Sequence, residues 1–124
     1  MIAGVVMAIA IPRGQAMLVR VAVQSAAGDV HATLSLARAL ALSGNAAVAV
    51  DIDSGSRIVR VRRGPEVLLS RNIGQAHGVR LEPTRDSLTY DQRGLGRGAA
   101  NLSVVIRLRS AVETVFVSRL GRVR

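Results

Sequence analysis

The apolar positions in the first third of the chain follow a helical repeat. Alanine and leucine dominate this stretch, and both are strong helix formers. A glycine and an asparagine, Gly44 and Asn45, then supply a C-terminal stop. The pattern predicts an amphipathic helix over residues 13–43 with one face packed on the rest of the domain. The apolar stripe on that face is formed by Val23, Ala27, Val30, Leu34, Ala37 and Ala41.

The twelve residues before this helix are almost entirely apolar and read MIAGVVMAIAIP. A helix from Ile2 to Ile11 would span ~15 Å, half of a hydrocarbon core of about 30 Å, so it is too short to cross a membrane alone. No basic residue precedes the run, which is untypical of a signal peptide. Two interpretations stay open, a buried core segment and the second half of a spanning helix. If Pro12 only kinks the chain, one helix of roughly forty residues results, and part of it must project or lie in lipid.

After Gly44 the pattern changes to short strands. Residues 46–52 and 57–62 flank an Asp-Ser-Gly-Ser turn, and weaker strands are predicted over 66–70, 78–81 and 87–91. Leu102, Val104, Ile106 and Leu108 alternate with more polar positions, as in a half-buried strand, and residues 112–118 can pair back against it. The predicted fold class is α+β, with a long N-terminal helix packed on an antiparallel sheet over residues 46–118 and a basic tail over 119–124.

Composition limits the classes of function. A chain of 124 residues with 49% hydrophobic and 20% charged residues is typical of one folded domain. Cysteine is absent, which excludes a disulfide scaffold and thiolate metal sites. The two histidines, His31 and His77, cannot form a metal site without carboxylates. We expect His31 at the surface of the helix or in an interface, and His77 in a loop beside Gly78. With Tyr90 and Phe116 as its only aromatic residues, the chain lacks the stacking platform that single-stranded nucleic acid usually needs.

The charge is concentrated in the second half. All 17 basic residues are arginine, and the formal net charge is +9. Arginines and aspartates balance as far as Ser56, so the whole excess follows that residue. Such a surface attracts phosphate backbones, lipid headgroups or an acidic protein, although a solvated arginine-rich surface without a specific partner explains it equally well.

Motifs for catalysis are weak. The glycines from Gly94 to Gly98 precede a strand instead of a helix and lack the dinucleotide spacing, so a flexible loop is favoured. Asp51 and Asp53 could bind a cation, but their place beside a Ser-Gly-Ser turn favours local hydrogen bonding. None of the serines lies in a nucleophile-elbow pattern. The sequence predicts no enzyme, no cofactor and no small-molecule substrate.

Three segments carry a resemblance to a known family. The apolar start resembles the second half of the N-terminal helix of type IV pilins and type II secretion pseudopilins. LSLARALALSG (residues 34–44), YDQRG (90–94) and VSRLGRVR (117–124) look like the GspH/FimT group of minor pseudopilins and minor pilins. Members begin with a basic leader, a cleavage junction and a glutamate in the mature helix, none of which stands here. We expect about ten mature residues and the leader to be encoded upstream of Met1, the start codon being misplaced or the chain trimmed.

The resemblance implies a non-catalytic subunit of a periplasmic fibre, a minor pseudopilin that acts in protein secretion near the tip of a type II secretion pseudopilus. Its partners would be other pilin or pseudopilin subunits. The N-terminal helix would cross the bacterial inner membrane once and later pack in the filament core. We expect the full chain to self-associate through that helix, and residues from about Val23 onward to be a soluble monomer. The candidate residues of this membrane and filament-core segment are Ile2, Val5, Val6, Ile9, Ile11 and Pro12.

A second function is implied by the C-terminal block. FimT-like members end in Gly-Arg-x-Arg, linked in some of them to DNA binding, and Gly121, Arg122, Val123 and Arg124 match that ending. The alternative is therefore a FimT-like minor type IV pilin that binds DNA non-specifically during uptake. Arg119, Gly121, Arg122 and Arg124 are the candidate contacts to DNA or to an acidic neighbour in the filament. A free basic globular protein remains a third alternative.

Overall fold

The computed structural model describes the backbone of residues 2–97, 101–118 and 120–124, and the side chains of these residues from Gly14 onward. Two helices and seven strands follow one another in the described chain. In order they are α1 (Ile2–Gly44), β1 (Val48–Asp53), β2 (Ile58–Arg63), β3 (Glu66–Asn72), α2 (Ile73–His77), β4 (Arg80–Pro83), β5 (Ser87–Tyr90), β6 (Leu102–Leu108) and β7 (Ala111–Val117).

The first helix is continuous over 43 residues and passes through Pro12 without a break. It ends at Gly44, and Asn45 follows in the left-handed backbone region with φ 49°. Asparagine tolerates that conformation better than most residues, which is why it can terminate a helix. The predicted stop is confirmed, and of the two possibilities left open at Pro12 the structure has the uninterrupted helix.

The apolar stripe of α1 forms one wall of the hydrophobic core. Five of the six predicted positions are buried, and Ala27 is partly buried and packs against the same cluster. Ala26 and Thr33 are buried in addition. The Thr33 hydroxyl donates a hydrogen bond to the carbonyl oxygen of Asp29, one turn earlier, at 2.7 Å. That bond satisfies the hydroxyl, so the polar side chain can lie in the core.

The strands form two antiparallel sheets, whereas a single sheet was predicted. One has four strands in the order β3-β2-β1-β5, and the other has three in the order β4-β6-β7. The alternation of apolar residues identified the strands but not their partners, because pairing depends on long-range contacts. The same face of α1 packs against both sheets, and buried residues from all three layers form one core cluster. The predicted fold class, a long helix packed on antiparallel strands, is confirmed.

A short helix, α2, lies where the sequence predicted only a loop. The side chain of Asn72 accepts a hydrogen bond from the Gln75 backbone N–H at 2.9 Å and caps the helix at its start. Gly78 closes it with a left-handed backbone, φ 69°. His77 is therefore the last residue of a helix, and its placement in a loop was wrong.

A three-residue ion cluster ties α2 and β3 to the long helix. The carboxylate of Asp29 on α1 lies 2.6 Å from Nε2 of His77 and 2.7 Å from Nη2 of Arg71. The hydrogen bond from His77, followed by the hydrogen bond and charge of Arg71, lowers the pKa of Asp29 below its usual range. Because the lowered pKa reflects stabilisation of the charged form, this cluster favours the folded state wherever Asp29 is ionised in both states.

We predict that Asp29→Asn lowers the free energy of unfolding by about 1 kcal/mol between pH 5 and 7. The parent loses this contribution as the pH falls through the lowered pKa of folded Asp29, so parent and variant converge below that pKa. Urea denaturation followed by circular dichroism across this pH range measures the difference. Asp86→Asn, at an exposed position, serves as the control, and a constant gap between parent and Asp29→Asn down to pH 2 contradicts the prediction.

Candidate interaction surfaces

The helix α1 includes all six residues that were predicted to form a membrane and filament-core segment. Their side chains are outside the described set. The next turns of α1 are described, and Met17, Leu18 and Val21 are 69%, 70% and 50% exposed. The first buried residue of α1 among those described is Val23. The helix before Val23 therefore extends for about 30 Å, at 1.5 Å per residue. Within the described residues, no helix has an apolar stretch long enough to span a bilayer.

The C-terminal segment, residues 118–124, pairs with β7 instead of forming a loose tail. The Arg124 N–H donates to the Phe116 carbonyl at 2.7 Å, and the Phe116 N–H donates back to Arg124 at 3.1 Å. The Ser118 N–H donates to the carbonyl of Arg122 at 2.9 Å and closes the turn. The segment thus adds a short antiparallel strand to the free edge of β7. Its backbone hydrogen bonds fix the positions from which Arg122 and Arg124 project.

Gly121 is the point of closest approach between this segment and the rest of the domain. It is buried, with φ 81°. A Cβ at this position would lie 2.5 Å from the carbonyl oxygen of Gly94 and 3.0 Å from Cε1 of Tyr90. Both the backbone angle and the lack of space therefore require glycine.

Tyr90 lies beneath Gly121 and is fully buried at the end of β5. Its hydroxyl donates a long hydrogen bond of 3.4 Å to the Gly121 carbonyl. Burial raises the pKa of Tyr90 to about 12, so the hydroxyl keeps its proton at neutral pH. The ring consequently joins the four-stranded sheet to the C-terminal segment of the other sheet.

The loop after Tyr90 completes this junction. The carboxylate of Asp91 accepts hydrogen bonds from the backbone N–H groups of Arg93 at 2.9 Å and Leu95 at 3.0 Å. The bond from Leu95 is the main cause of the lowered pKa of Asp91. Nε of Arg38, on α1, then donates to the Gly94 carbonyl at 3.0 Å. The YDQRG motif is thus a turn that connects α1 to the C-terminal segment.

An arginine-lined cleft of about 520 Å³ lies between α1 and the C-terminal segment. Arg38 contributes from the helix, and the exposed Arg122 and Arg124 contribute from the segment. None of the residues that line this cleft is acidic. We call it the tail cleft; its lining residues are Ser35, Arg38, Ala39, Leu42, Arg122, Val123 and Arg124.

An exposed aromatic side chain stands next to the tail cleft. Phe116 is 52% exposed and is hydrogen-bonded through its backbone to Arg124. Tyr90, the other aromatic residue, is buried, so Phe116 is the one available for stacking. Neither Phe116 nor Arg38 was among the contacts predicted from the sequence for DNA or an acidic neighbour. Phe116 could have been found as an outward position between the inward-facing Val115 and Val117, whereas Arg38 becomes recognisable only through the tertiary contact.

The remaining predicted site residues separate into local roles. Asp51 forms an ion pair with Arg62, with 2.5 Å between Oδ2 and Nε. Asp53 accepts hydrogen bonds from the N–H groups of Gly55 at 2.9 Å and Ser56 at 3.2 Å, so the predicted turn role is confirmed. His31 lies exposed on α1.

Two candidates fall on undescribed positions, since Arg119 and Gly98 lie outside the residues that the structure describes. The described part of the glycine-rich stretch, from Gly94 to Arg97, is a loop, as expected, and Gly96 bridges to Tyr90. Among the described side chains, no three histidine, aspartate or glutamate residues are grouped so that they could hold a metal ion.

The fold is similar to that of a solved minor pilin and a solved minor pseudopilin. The type IV minor pilin FimU of Pseudomonas aeruginosa superimposes with a TM-score of 0.72 at 18% identity, covering 82% of this chain and 86% of that chain. The minor pseudopilin EpsH of the Vibrio cholerae type 2 secretion system superimposes with a TM-score of 0.66 at 13% identity, covering 82% and 94%. No curated protein sequence matches the chain.

The family comparison extends over most of the domain. The family model described as type II transport protein GspH matches residues 26–121. That range runs from the buried half of α1 through both sheets to Gly121. The chain therefore belongs to the GspH family of pilin-like structural subunits.

Proposed function

We propose that this protein is a non-catalytic minor pseudopilin, a subunit of a type II secretion pseudopilus. In this proposal α1 holds the subunit in the bacterial inner membrane before assembly and then packs among the helices of other subunits. The folded domain lies in the periplasm. The observation that carries the proposal is the 43-residue helix, whose backbone extends about 30 Å before Val23, the first buried residue among the described side chains.

Exposed apolar side chains on this projecting part of α1 support association. Met17, Leu18 and Val21 are each at least half exposed on consecutive turns. Fully burying one such side chain stabilises an assembly by roughly 1.5–3 kcal/mol. A helix that leaves several of them exposed is typical of an element with a partner outside its own domain.

The opposite end of the domain is free to meet neighbouring subunits. The tail cleft lies beside Arg38 and Leu42, near the C-terminal end of α1 and far along the helix from its projecting part. A subunit held by the start of α1 would present this end away from the membrane. Such an orientation supports a position near the tip of the fibre, where the C-terminal segment can contact a partner.

We predict that the double substitution Met17→Gln and Leu18→Gln weakens self-association of the full chain at least tenfold. The reason is that two apolar side chains are lost from the shared helix surface. Sedimentation velocity without detergent, over a range of concentrations, gives the association constants. Leu36→Gln is the matched control, because Leu36 is an exposed leucine on the same helix but within the folded domain. A parent chain that stays monomeric at every concentration contradicts the proposed role of α1.

A second candidate function, DNA binding by a FimT-like minor type IV pilin, is favoured by the tail cleft. The backbone pairing of the C-terminal segment holds Arg122 and Arg124 in place, and Arg38 lies across the cleft from them. Guanidinium groups bind phosphate oxygens well, and contacts of that kind carry no sequence preference. The exposed ring of Phe116 adds one surface on which an unpaired base could stack.

We predict that, if DNA binds in the tail cleft, affinity falls steeply with salt. Neutralising three phosphates through Arg38, Arg122 and Arg124 gives a log–log slope of about −2.7. Replacing Arg122 and Arg124 by Gln should reduce that slope by about 1.8 and leave the thermal unfolding curve unchanged, since both side chains are exposed. A gel-shift titration with duplex DNA at several salt concentrations measures the slope.

The matched control for this titration is the pair Arg60→Gln and Arg85→Gln, which removes two exposed arginines that do not line the tail cleft. Two results exclude DNA binding in the tail cleft: no complex at moderate salt, or equal losses in both double variants. If the parent then binds an acidic subunit of the filament and the Arg122/Arg124 variant does not, the same arginines act in assembly.

A further inference from the structure

A second arginine-rich cleft, of about 450 Å³, is not used by either proposed function. Four of its six lining residues are arginines, and none is acidic. We call it the four-arginine cleft; its lining residues are Arg57, Gly78, Arg80, Arg107, Leu108 and Arg109.

Arg57 is held in this cleft by backbone and side-chain contacts. Its guanidinium donates to the Val79 carbonyl at 3.3 Å, and its own carbonyl accepts from the Gly74 N–H at 3.1 Å. A Cβ on Gly74 would lie 2.6 Å from both Cβ and Nε of Arg57, so the arginine packs where Gly74 has no side chain. The guanidinium is therefore fixed before any ligand arrives, which lowers the entropic cost of binding.

Like charges face each other across the strands beside it. Arg80 on β4 and Arg107 on β6 are direct register partners, and both are exposed. Like charges in this relation destabilise a sheet unless a counter-charge is present. Glu82 provides a single carboxylate, whose Oε2 lies 2.9 Å from Nε of Arg107. One carboxylate against four guanidinium groups leaves an excess of positive charge that a bound anion would offset.

The position of the cleft identifies the kind of anion. Ser110, next to Arg109, lies in the turn between β6 and β7 and lines a shared pocket with Arg20 and Gln24 of α1. The four-arginine cleft therefore lies at the end of the domain from which α1 extends toward Ile2. The tail cleft lies at the other end, beside residues 35–42 of the same helix.

The spacing along α1 brings this end of the domain within a Debye length of the headgroup layer. Arg13 is the first charged residue after the apolar run, and Arg20 follows seven residues later, about 10 Å further along a helix. A bilayer that ends its hydrocarbon region near Arg13 has headgroups extending some 5–8 Å beyond that level. Surface charges act over about one Debye length, ~8–10 Å. The four-arginine cleft would thus lie within reach of lipid phosphates.

We propose that the four-arginine cleft binds the phosphate groups of anionic phospholipids and holds the folded domain on the membrane surface. This inference rests on the proposed storage of α1 in the membrane. Guanidinium groups suit it because their planar donors can bind phosphate oxygens in pairs. Entry into the filament would break these contacts as the domain leaves the membrane surface.

The test uses the full chain and measures its flotation with two kinds of vesicle. One kind is pure phosphatidylcholine, and the other is phosphatidylcholine mixed with the anionic lipid phosphatidylglycerol. The parent should bind the anionic vesicles more tightly, and this advantage should shrink as salt is added. Arg80→Gln should lower affinity for anionic vesicles about fivefold, and Arg80→Gln with Arg107→Gln about 25-fold. Binding to pure phosphatidylcholine should not change.

Two further variants make the result specific. Arg80→Gln alone keeps the contact between Arg107 and Glu82, so a folding defect can be separated from the loss of lipid binding by thermal denaturation. The pair Arg122→Gln and Arg124→Gln removes the same number of exposed arginines from the opposite end, and it should bind vesicles as the parent does.

Each remaining outcome contradicts a different claim. Equal binding of the parent and the Arg80/Arg107 variant to anionic vesicles overturns the lipid site. Binding of both proteins to pure phosphatidylcholine would still support membrane storage of α1. No binding of the parent to either vesicle contradicts the proposed function itself. If the Arg80/Arg107 variant loses affinity only for inorganic phosphate, the cleft binds a soluble ion. If it loses affinity only for duplex DNA, the cleft binds nucleic acid. Either result overturns the membrane proposal.

Discussion

The packing of one helical stripe against two sheets positions the two arginine-lined clefts of this domain. Small and branched apolar residues of α1 fill the space between the sheets, and Val30, Leu34 and Ala37 are fully buried there. Because the stripe contacts both sheets, it fixes their orientation along the helix axis. The tail cleft consequently lies at one end of α1, and the four-arginine cleft lies toward its projecting end. Seven arginines from distant parts of the sequence are thereby grouped into two clefts, three in the tail cleft and four in the four-arginine cleft.

A second constraint acts at the C-terminal end, where the backbone of Gly121 lies against Tyr90 and Gly94. Tyr90 belongs to one sheet, Gly121 follows the last strand of the other, and the Gly94 carbonyl accepts a hydrogen bond from Arg38 of α1. All three layers of the domain therefore meet at this point. The contact turns the last residues into a paired strand, which holds Arg122 and Arg124 in place.

The parts of the fold that depend on local pattern could be predicted from the sequence. Periodicity located the stripe of α1, and alternation located β6, since each reflects burial of one face. The division into two sheets depends on pairings between strands distant in the chain, and no residue of β4 or β5 indicates its partner. Likewise, Arg122 and Arg124 could be named from the C-terminal motif, but Arg38 joins them only through the fold. The four-arginine cleft could not be predicted because its arginines come from two strand ends and two turns that are distant in the sequence.

Pairing of the C-terminal segment with β7 holds the tail cleft together. Amide hydrogen exchange of the parent and of Gly121→Ala tests whether this pairing exists. We predict that the Arg124 and Ser118 amides of the parent exchange about 100-fold more slowly than in a free peptide, because both donate backbone hydrogen bonds. Gly121→Ala should abolish this protection, since the left-handed backbone alone costs an alanine about 1–2 kcal/mol and its Cβ meets the Gly94 carbonyl. Protection at Val50, in the central strand β1, should persist. Free exchange of Arg124 in the parent, or unchanged protection in Gly121→Ala, would contradict the account.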